Sequence, residues 1–242
     1  IQVGLVGSEM CIRDSLTSDS SDVMTINGTV TKTFLSLCLV VISGYYSWIN
    51  ISITNVLILP AIFVALILGG VTIYKKHLSP ITVPIYAVIQ GVFLGAISYT
   101  FNSLYDGIVI TAISYTLSIL FVMLTLYRTG IIKPTENFKL GVAAGTGGIA
   151  LIYLANFVMS FFGTGLSIMD INNASMYSIG FSLLVIVMAS LNLVVDFDFI
   201  EEGSEKRAPK YMEWYGAFGL LVTLIWLYLE ILRLLAKMNS RK

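Results

Sequence analysis

Apolar residues run almost unbroken through seven stretches of this chain, at about 30–48, 55–74, 82–101, 107–127, 140–162, 176–197 and 211–236. Each reaches or nearly reaches the ~20 residues a helix needs to cross the hydrocarbon core of a bilayer. Backbone N–H and C=O groups in lipid must be satisfied within their own segment, so helices are the default. Strands would alternate apolar and polar positions, and runs such as NVLILPAIFVALILGG do not. The pattern predicts an all-α polytopic membrane protein, with one seven-transmembrane-helix bundle in residues 23–242. Residues 1–22 stand apart. IQVGLVGSEMCIRDS lacks an initiator Met and a hydrophobic core of signal-peptide length, and SLTSDSSD is polar throughout. This segment is expected to be disordered or not native to the family.

Composition agrees with the pattern. Of 242 residues, 57% are hydrophobic and only 12% are charged, with a mean hydropathy of +0.87. An average soluble domain has about 25% charged residues. The zero net charge offers no electrostatic footprint for nucleic acid. Cys11 and Cys38 have neither disulfide nor metal spacing. The single histidine, His77, lies in the KKHLSP connection, which leaves zinc-protease and histidine-triad chemistry without residues. Asp196 and Asp198 are two apart on one helix, with no second intramembrane Asp on another span, so an aspartyl protease is not expected either. The chain reads as a non-enzyme without a cofactor.

Lys and Arg set the orientation. Arg13 and Lys32 precede or open the first segment, and Lys75 and Lys76 follow the second. Arg128, Lys133 and Lys139 lie between the fourth and fifth, and Lys206, Arg207 and Lys210 between the sixth and seventh. The connections near 49–54, 102–106 and 163–175 carry neither residue. The N-terminus is therefore expected to face the cytoplasm. Arg233, Lys237, Arg241 and Lys242 dissent, because seven crossings put them outside; seven crossings remain the preferred reading over a last segment that enters and returns.

Acids within apolar segments are costly and are functional candidates by default. Asn192 and Asp196 are four apart, hence on one helical face near the cytoplasmic end of the sixth segment. A carboxylate between SLNLVV and two phenylalanines must find a partner or a proton. Asp198, Glu201, Glu202 and Glu205 are expected to continue into a solvated loop. In a hairpin turning near Gly203 to Pro209, Glu213 mirrors Asp196 in depth, while Glu230 lies about 25 Å further along, on the far side. Glu230 and Arg233 are three apart and able to neutralise each other. Gln90 and Asn156 are mid-span polar residues able to line a pore, with hydrogen bonding between helices as the preferred expectation. Gly141, Gly145 and Gly148 read as a close-packing face of the fifth segment.

Several motifs carry a resemblance. MTINGTVTKTFL, VPIYAVIQGVFLGAIS, FVMLTLYRTGIIKPTENFKLGVAAGTGGIAL, LNLVVDFDFIEEG and APKYMEWYGAFGLLVTLIWLYLEILRLLAK resemble the Bax inhibitor-1/YccA-like family in its bacterial branch, over about residues 23–238. The resemblance implies a seven-helix bundle with a central last helix. It also implies pH-sensitive calcium leak and, in eukaryotic members, suppression of cell death. Members use one aspartate in the sixth segment and one in the seventh as a pH-sensitive latch. Asp196 matches the first. The second falls on Glu230 if WLYLEIL is matched to the apolar–Asp pattern, and on Thr223 if AFGLLV and the terminal LLR are matched without gaps.

The expectation is a passive cation leak in a bacterial cytoplasmic membrane, with calcium as the transported ion and the lipid bilayer as the surrounding partner. Asp196, Asn192 and Glu213 form its ion path or pH gate, and Asp196 is a weak calcium ligand. Asp198, Thr223, Glu230 and Arg233 are secondary candidates. The alternative is a non-conducting regulator that binds a membrane protease or another membrane partner.

Overall fold

A computed structural model describes residues 22–171 and 173–241. Seven long helices follow one another: α1 (Ile26–Ile49), α2 (Ile51–Tyr74), α3 (Ser79–Leu104), α4 (Ile108–Arg128), α5 (Glu136–Phe161), α6 (Met176–Glu205) and α7 (Met212–Asn239). All seven are long and apolar enough to cross a membrane. The predicted all-α bundle is the observed fold. The expected tail, residues 1–22, lies outside the described residues except for Asp22.

Helix ends follow local chemistry. Thr25, Thr135 and Ser175 cap α1, α5 and α6, their hydroxyls accepting from the N–H of Gly28, Phe138 and Ser178. Gly130 and Gly163 follow α4 and α5 with φ of 70° and 73°, which lets the chain fold back onto the last carbonyls. Only Asn50 separates α1 from α2.

One boundary matters for function. α6 continues eight residues beyond the apolar run and ends at Glu205. Asp198, Glu201, Glu202 and Glu205 therefore belong to the helix and not to a loop, which corrects the sequence reading. Their partners explain the extension. Lys139 on α5 pairs with Asp198 at 2.6 Å, Lys206 pairs with Glu202, and the Tyr127 hydroxyl of α4 donates to Glu201. Glu201 and Glu205 stay exposed on this extension, so the helix itself carries the acids to its solvated end.

α7 is the most deeply buried helix and runs unbroken, without a return turn, from Met212 to Asn239. Leu221, Leu227, Leu232 and Ala236 on it are fully enclosed. Large apolar side chains such as Phe34, Ile42, Phe63, Ile67, Ile110, Phe121, Leu140 and Leu151 point outward from α1, α2, α4 and α5. In a bilayer these face the acyl chains.

Small residues and hydroxyls fasten the inner helices. α1 and α3 form the most extensive pair, and at their crossing Gly95 lies against the backbone of Gly44, and Gly91 against Ser43 and Val40. The Ser47 hydroxyl donates to the Val92 carbonyl at 2.8 Å across the same contact. Thr72 and Thr82 join α2 to α3 at 2.7 Å, and Ser98 and Tyr228 join α3 to α7 at 2.6 Å. The expectation for α5 is corrected: a Cβ at Gly141 or Gly148 would meet nothing within 4 Å, and only Gly145 is close to a neighbour, Met188. The close-packing glycines lie on α1 and α3, within GVFLG and beside it.

Candidate functional site

α6 and α7 form a hairpin whose turn spans residues 206–211. Asp196 lies nine residues before the end of α6, and Thr223 lies eleven residues after the start of α7. At 1.5 Å per residue these are depths of about 14 and 16 Å. The two side chains meet, with Thr223 Oγ1 donating to Asp196 Oδ2 at 2.6 Å. Gly219, one turn earlier on α7, makes room for the carboxylate, since a Cβ there would sit 3.1 Å from Asp196 Oδ1. Among the described residues no cationic side chain pairs with Asp196.

The carboxylate lines a cleft of about 800 Å³ between α2, α3, α6 and α7. Tyr86, Gln90, Phe93, Phe199, Phe218 and Thr223 share its wall. Gln90 donates to the Tyr86 hydroxyl one turn back on its own helix, at 2.8 Å, instead of bridging to a second helix.

The sequence-derived set thus divides. Asp196 is joined by Thr223, the position reached by gapless matching, and not by Glu213. The mirror argument placed the turn near Gly203 to Pro209, whereas the observed turn spans residues 206–211, so the position opposite Asp196 lies further along α7. The residue that meets Asp196 is ten positions beyond Glu213 on α7. Asn192 is also outside the site: its amide donates to Thr146 on α5 at 2.6 Å and to the Met188 carbonyl at 2.9 Å, and it does not line the cleft. Asp198 is bound to Lys139.

Glu213 forms a separate cradle at the end of the bundle. It is fully buried, pairs with Lys32, and accepts from the Thr25 N–H at 3.0 Å and the Thr25 hydroxyl at 2.9 Å. Gly28 leaves the space, because a Cβ there would lie 2.1 Å from Glu213 Oε1. The adjoining chain is tied to the same place by Met24 N–H to the Ala208 carbonyl at 2.7 Å and Lys210 N–H to the Asp22 carbonyl at 2.9 Å. Glu213→Ala should therefore cost about 2–4 kcal/mol of stability, since it strands Lys32 and two donors. Thermal unfolding in detergent measures that loss. Any pH response of a reconstituted flux should be unchanged in the same variant, because Glu213 does not touch Asp196.

The far end of α7 carries a third locus. Glu230 is fully buried, with Oε1 accepting from Arg233 at 2.6 Å and from the Tyr153 hydroxyl. The expected Glu230–Arg233 pair is present, with Tyr153 as an addition that spacing within one helix could not reveal. Lys237 is buried as well, its ammonium donating to the Ile168 carbonyl at 2.9 Å, the Ser182 hydroxyl at 3.0 Å and the Ser178 carbonyl at 3.3 Å. Asn156 does not bridge two helices; it accepts from the Leu166 N–H at 2.8 Å and holds the chain after α5. His77 is exposed in the short turn before α3.

Among the described residues, no group of three or more His, Cys, Asp or Glu is placed to hold a metal ion. Calcium takes six to eight oxygen ligands. One carboxylate and one hydroxyl fall well short of such a set.

A seven-helix integral membrane protein with one carboxylate latched across its last hairpin is the class that fold and site define. The sequence model described as Bax inhibitor 1 like matches residues 7–240, and the chain belongs to that Bax inhibitor-1/YccA-like family. The match begins upstream of residue 23, where the resemblance read from the motifs begins. No curated protein gives a match.

Proposed function

We propose that the protein is a passive, pH-sensitive cation leak, conducting calcium, with the Asp196–Thr223 contact as its gate. The observation that carries this reading is a carboxylate about 14 Å inside the helical end, facing an open cleft, with a single hydroxyl as its partner. Hydrogen bonds to a charged group contribute about 1.5–3 kcal/mol. One pH unit is worth about 1.4 kcal/mol to a titrating group, so a single proton has the leverage to shift such a contact. The ionised carboxylate is the stronger acceptor, so the latch holds when Asp196 is charged. Protonation weakens it and frees α6 to move against α7.

In this proposal the N-terminus is cytoplasmic and the membrane is the bacterial inner membrane, as the bacterial branch of the family suggests. Two of the four C-terminal cations that opposed this orientation are satisfied within the chain, Arg233 by Glu230 and Lys237 by oxygen atoms. The alternative, a non-conducting regulator with an acidic docking surface, gains less support, because Asp198, Glu201 and Glu202 already have partners on α4, α5 or their own chain end.

Calcium flux into liposomes containing the purified protein is the test. Asp196→Asn is a permanent mimic of the neutral group. It should leak about tenfold faster than the unmodified protein where the latch holds, and be insensitive to pH over about pH 5–8. Flux equal to that of empty liposomes, with capture of a membrane protein instead, would favour the regulator. An Asp196→Asn profile matching the unmodified protein would remove Asp196 from the gate.

A further inference from the structure

The Asp196 cleft has a second property that holds whether or not the protein conducts. α2 packs along α3 and has no comparable contact with α6 or α7. The wall is therefore open sideways, where Leu66 is 68% exposed and Val222 is 36% exposed at the rim. At about 800 Å³ the space falls within the ~300–1,000 Å³ typical of small-molecule sites. Its lining is mostly apolar and aromatic, with Asp196 as its one acid.

We propose that this cleft is a lateral binding site, entered from the lipid, for a free lipophilic primary amine in its ammonium form. Charge complementarity selects the occupant. Asp196 faces the cleft with a hydroxyl partner, and no described cation pairs with it. Rings line the cleft: Tyr215 and Phe218 have centroids 6.4 Å apart, and Phe218 and Tyr86 meet edge to face at 5.1 Å. Aromatic faces attract ammonium groups. The protein already uses this wall so, with Lys76 Nζ 5.0 Å from the centroid of Tyr215. An apolar body fills the space between α2 and α6, while its N–H groups reach the Asp196 carboxylate and the Gln90 amide oxygen. A carboxylate-bearing or phosphate-bearing amphiphile would meet Asp196 as a like charge.

The test compares 1-aminoadamantane with its uncharged isostere 1-hydroxyadamantane. Calorimetry is run on the full protein in phosphatidylcholine nanodiscs, with protein-free nanodiscs as reference. The amine should bind saturably and about tenfold or more tightly than the alcohol. Asp196→Asn should abolish that preference. Gly69→Leu leaves Asp196 in place and adds bulk to the cleft wall, where a Cβ would make ordinary contact at 3.8 Å from Phe218 and 3.9 Å from Tyr86. It should weaken both ligands. No saturable amine binding, equal binding of amine and alcohol, a preference that survives Asp196→Asn, or amine binding unaffected by Gly69→Leu would each overturn the proposal. Calcium flux does not enter any of these readouts, so loss of the leak hypothesis leaves them interpretable.

Discussion

Gly95→Val is expected to push α1 away from α3 and to cost about 3 kcal/mol of stability, at the upper end of overpacking effects. The reason is the identity of the obstructing atoms. A Cβ at Gly95 would lie 2.2 Å from the Gly44 carbonyl oxygen and 2.9 Å from the Gly44 carbonyl carbon and Cα. These are backbone atoms of a helix, so no rotamer change relieves them. Separation also stretches the Ser47–Val92 hydrogen bond, which has no water to replace it in lipid. Thermal unfolding in detergent, together with cross-linking of cysteines placed across the α1–α3 contact, measures the effect. Gly148→Ala is the matched control. Its Cβ would meet nothing within 4 Å, so a neutral outcome or a gain of up to about 1 kcal/mol from helix propensity is expected. Equal destabilisation by the two changes would contradict the packing described here.

Thr223→Asp is expected to split the pH dependence of calcium flux into two steps. The unmodified contact has one carboxylate and one hydroxyl, so under the proposed leak one proton would govern it. A second carboxylate at hydrogen-bonding distance from the first makes a coupled pair whose protons leave separately. The flux profile should broaden by one pH unit or so beyond a one-proton curve. Thr223→Val is the companion change: it keeps the branched shape and removes the donor. Leak should rise about tenfold where the latch normally holds. Proteoliposome flux at stepped pH reads both variants, and a one-proton profile in Thr223→Asp would show that residue 223 does not share the gate.

Thr223 also shows how far sequence reasoning reached. Two matchings of the family pattern gave Glu230 and Thr223, and depth gave Glu213; nothing in the residues themselves ranks a threonine above two glutamates. The choice followed from the packing of α7 against α6. The acidic end of α6 is held in helix by Lys139, Tyr127 and Lys206, two of which lie on other segments. No local propensity reports such partners. Glu213 likewise finds Lys32 and Thr25 more than 180 residues away in sequence. Glu230 and Arg233 were legible because one turn of helix brings them together.

The glycines teach the same lesson from packing. Small-residue spacing on α5 and GVFLG on α3 look alike in one dimension, yet only the second is pressed against another backbone. Helix α5 is largely turned outward, whereas α3 is half enclosed. Spacing says that a close approach is permitted; which helix takes it up depends on who the neighbours are.

The sequence by itself determined the seven helices, their apolar faces and the candidacy of Asp196, because bilayer thickness and backbone satisfaction act within single segments. The tertiary structure alone decided that Asp196 meets Thr223, that Glu213 clamps α1, and that a cleft opens beside the latch. Those outcomes depend on helix register and on contacts between distant segments, which no single segment specifies.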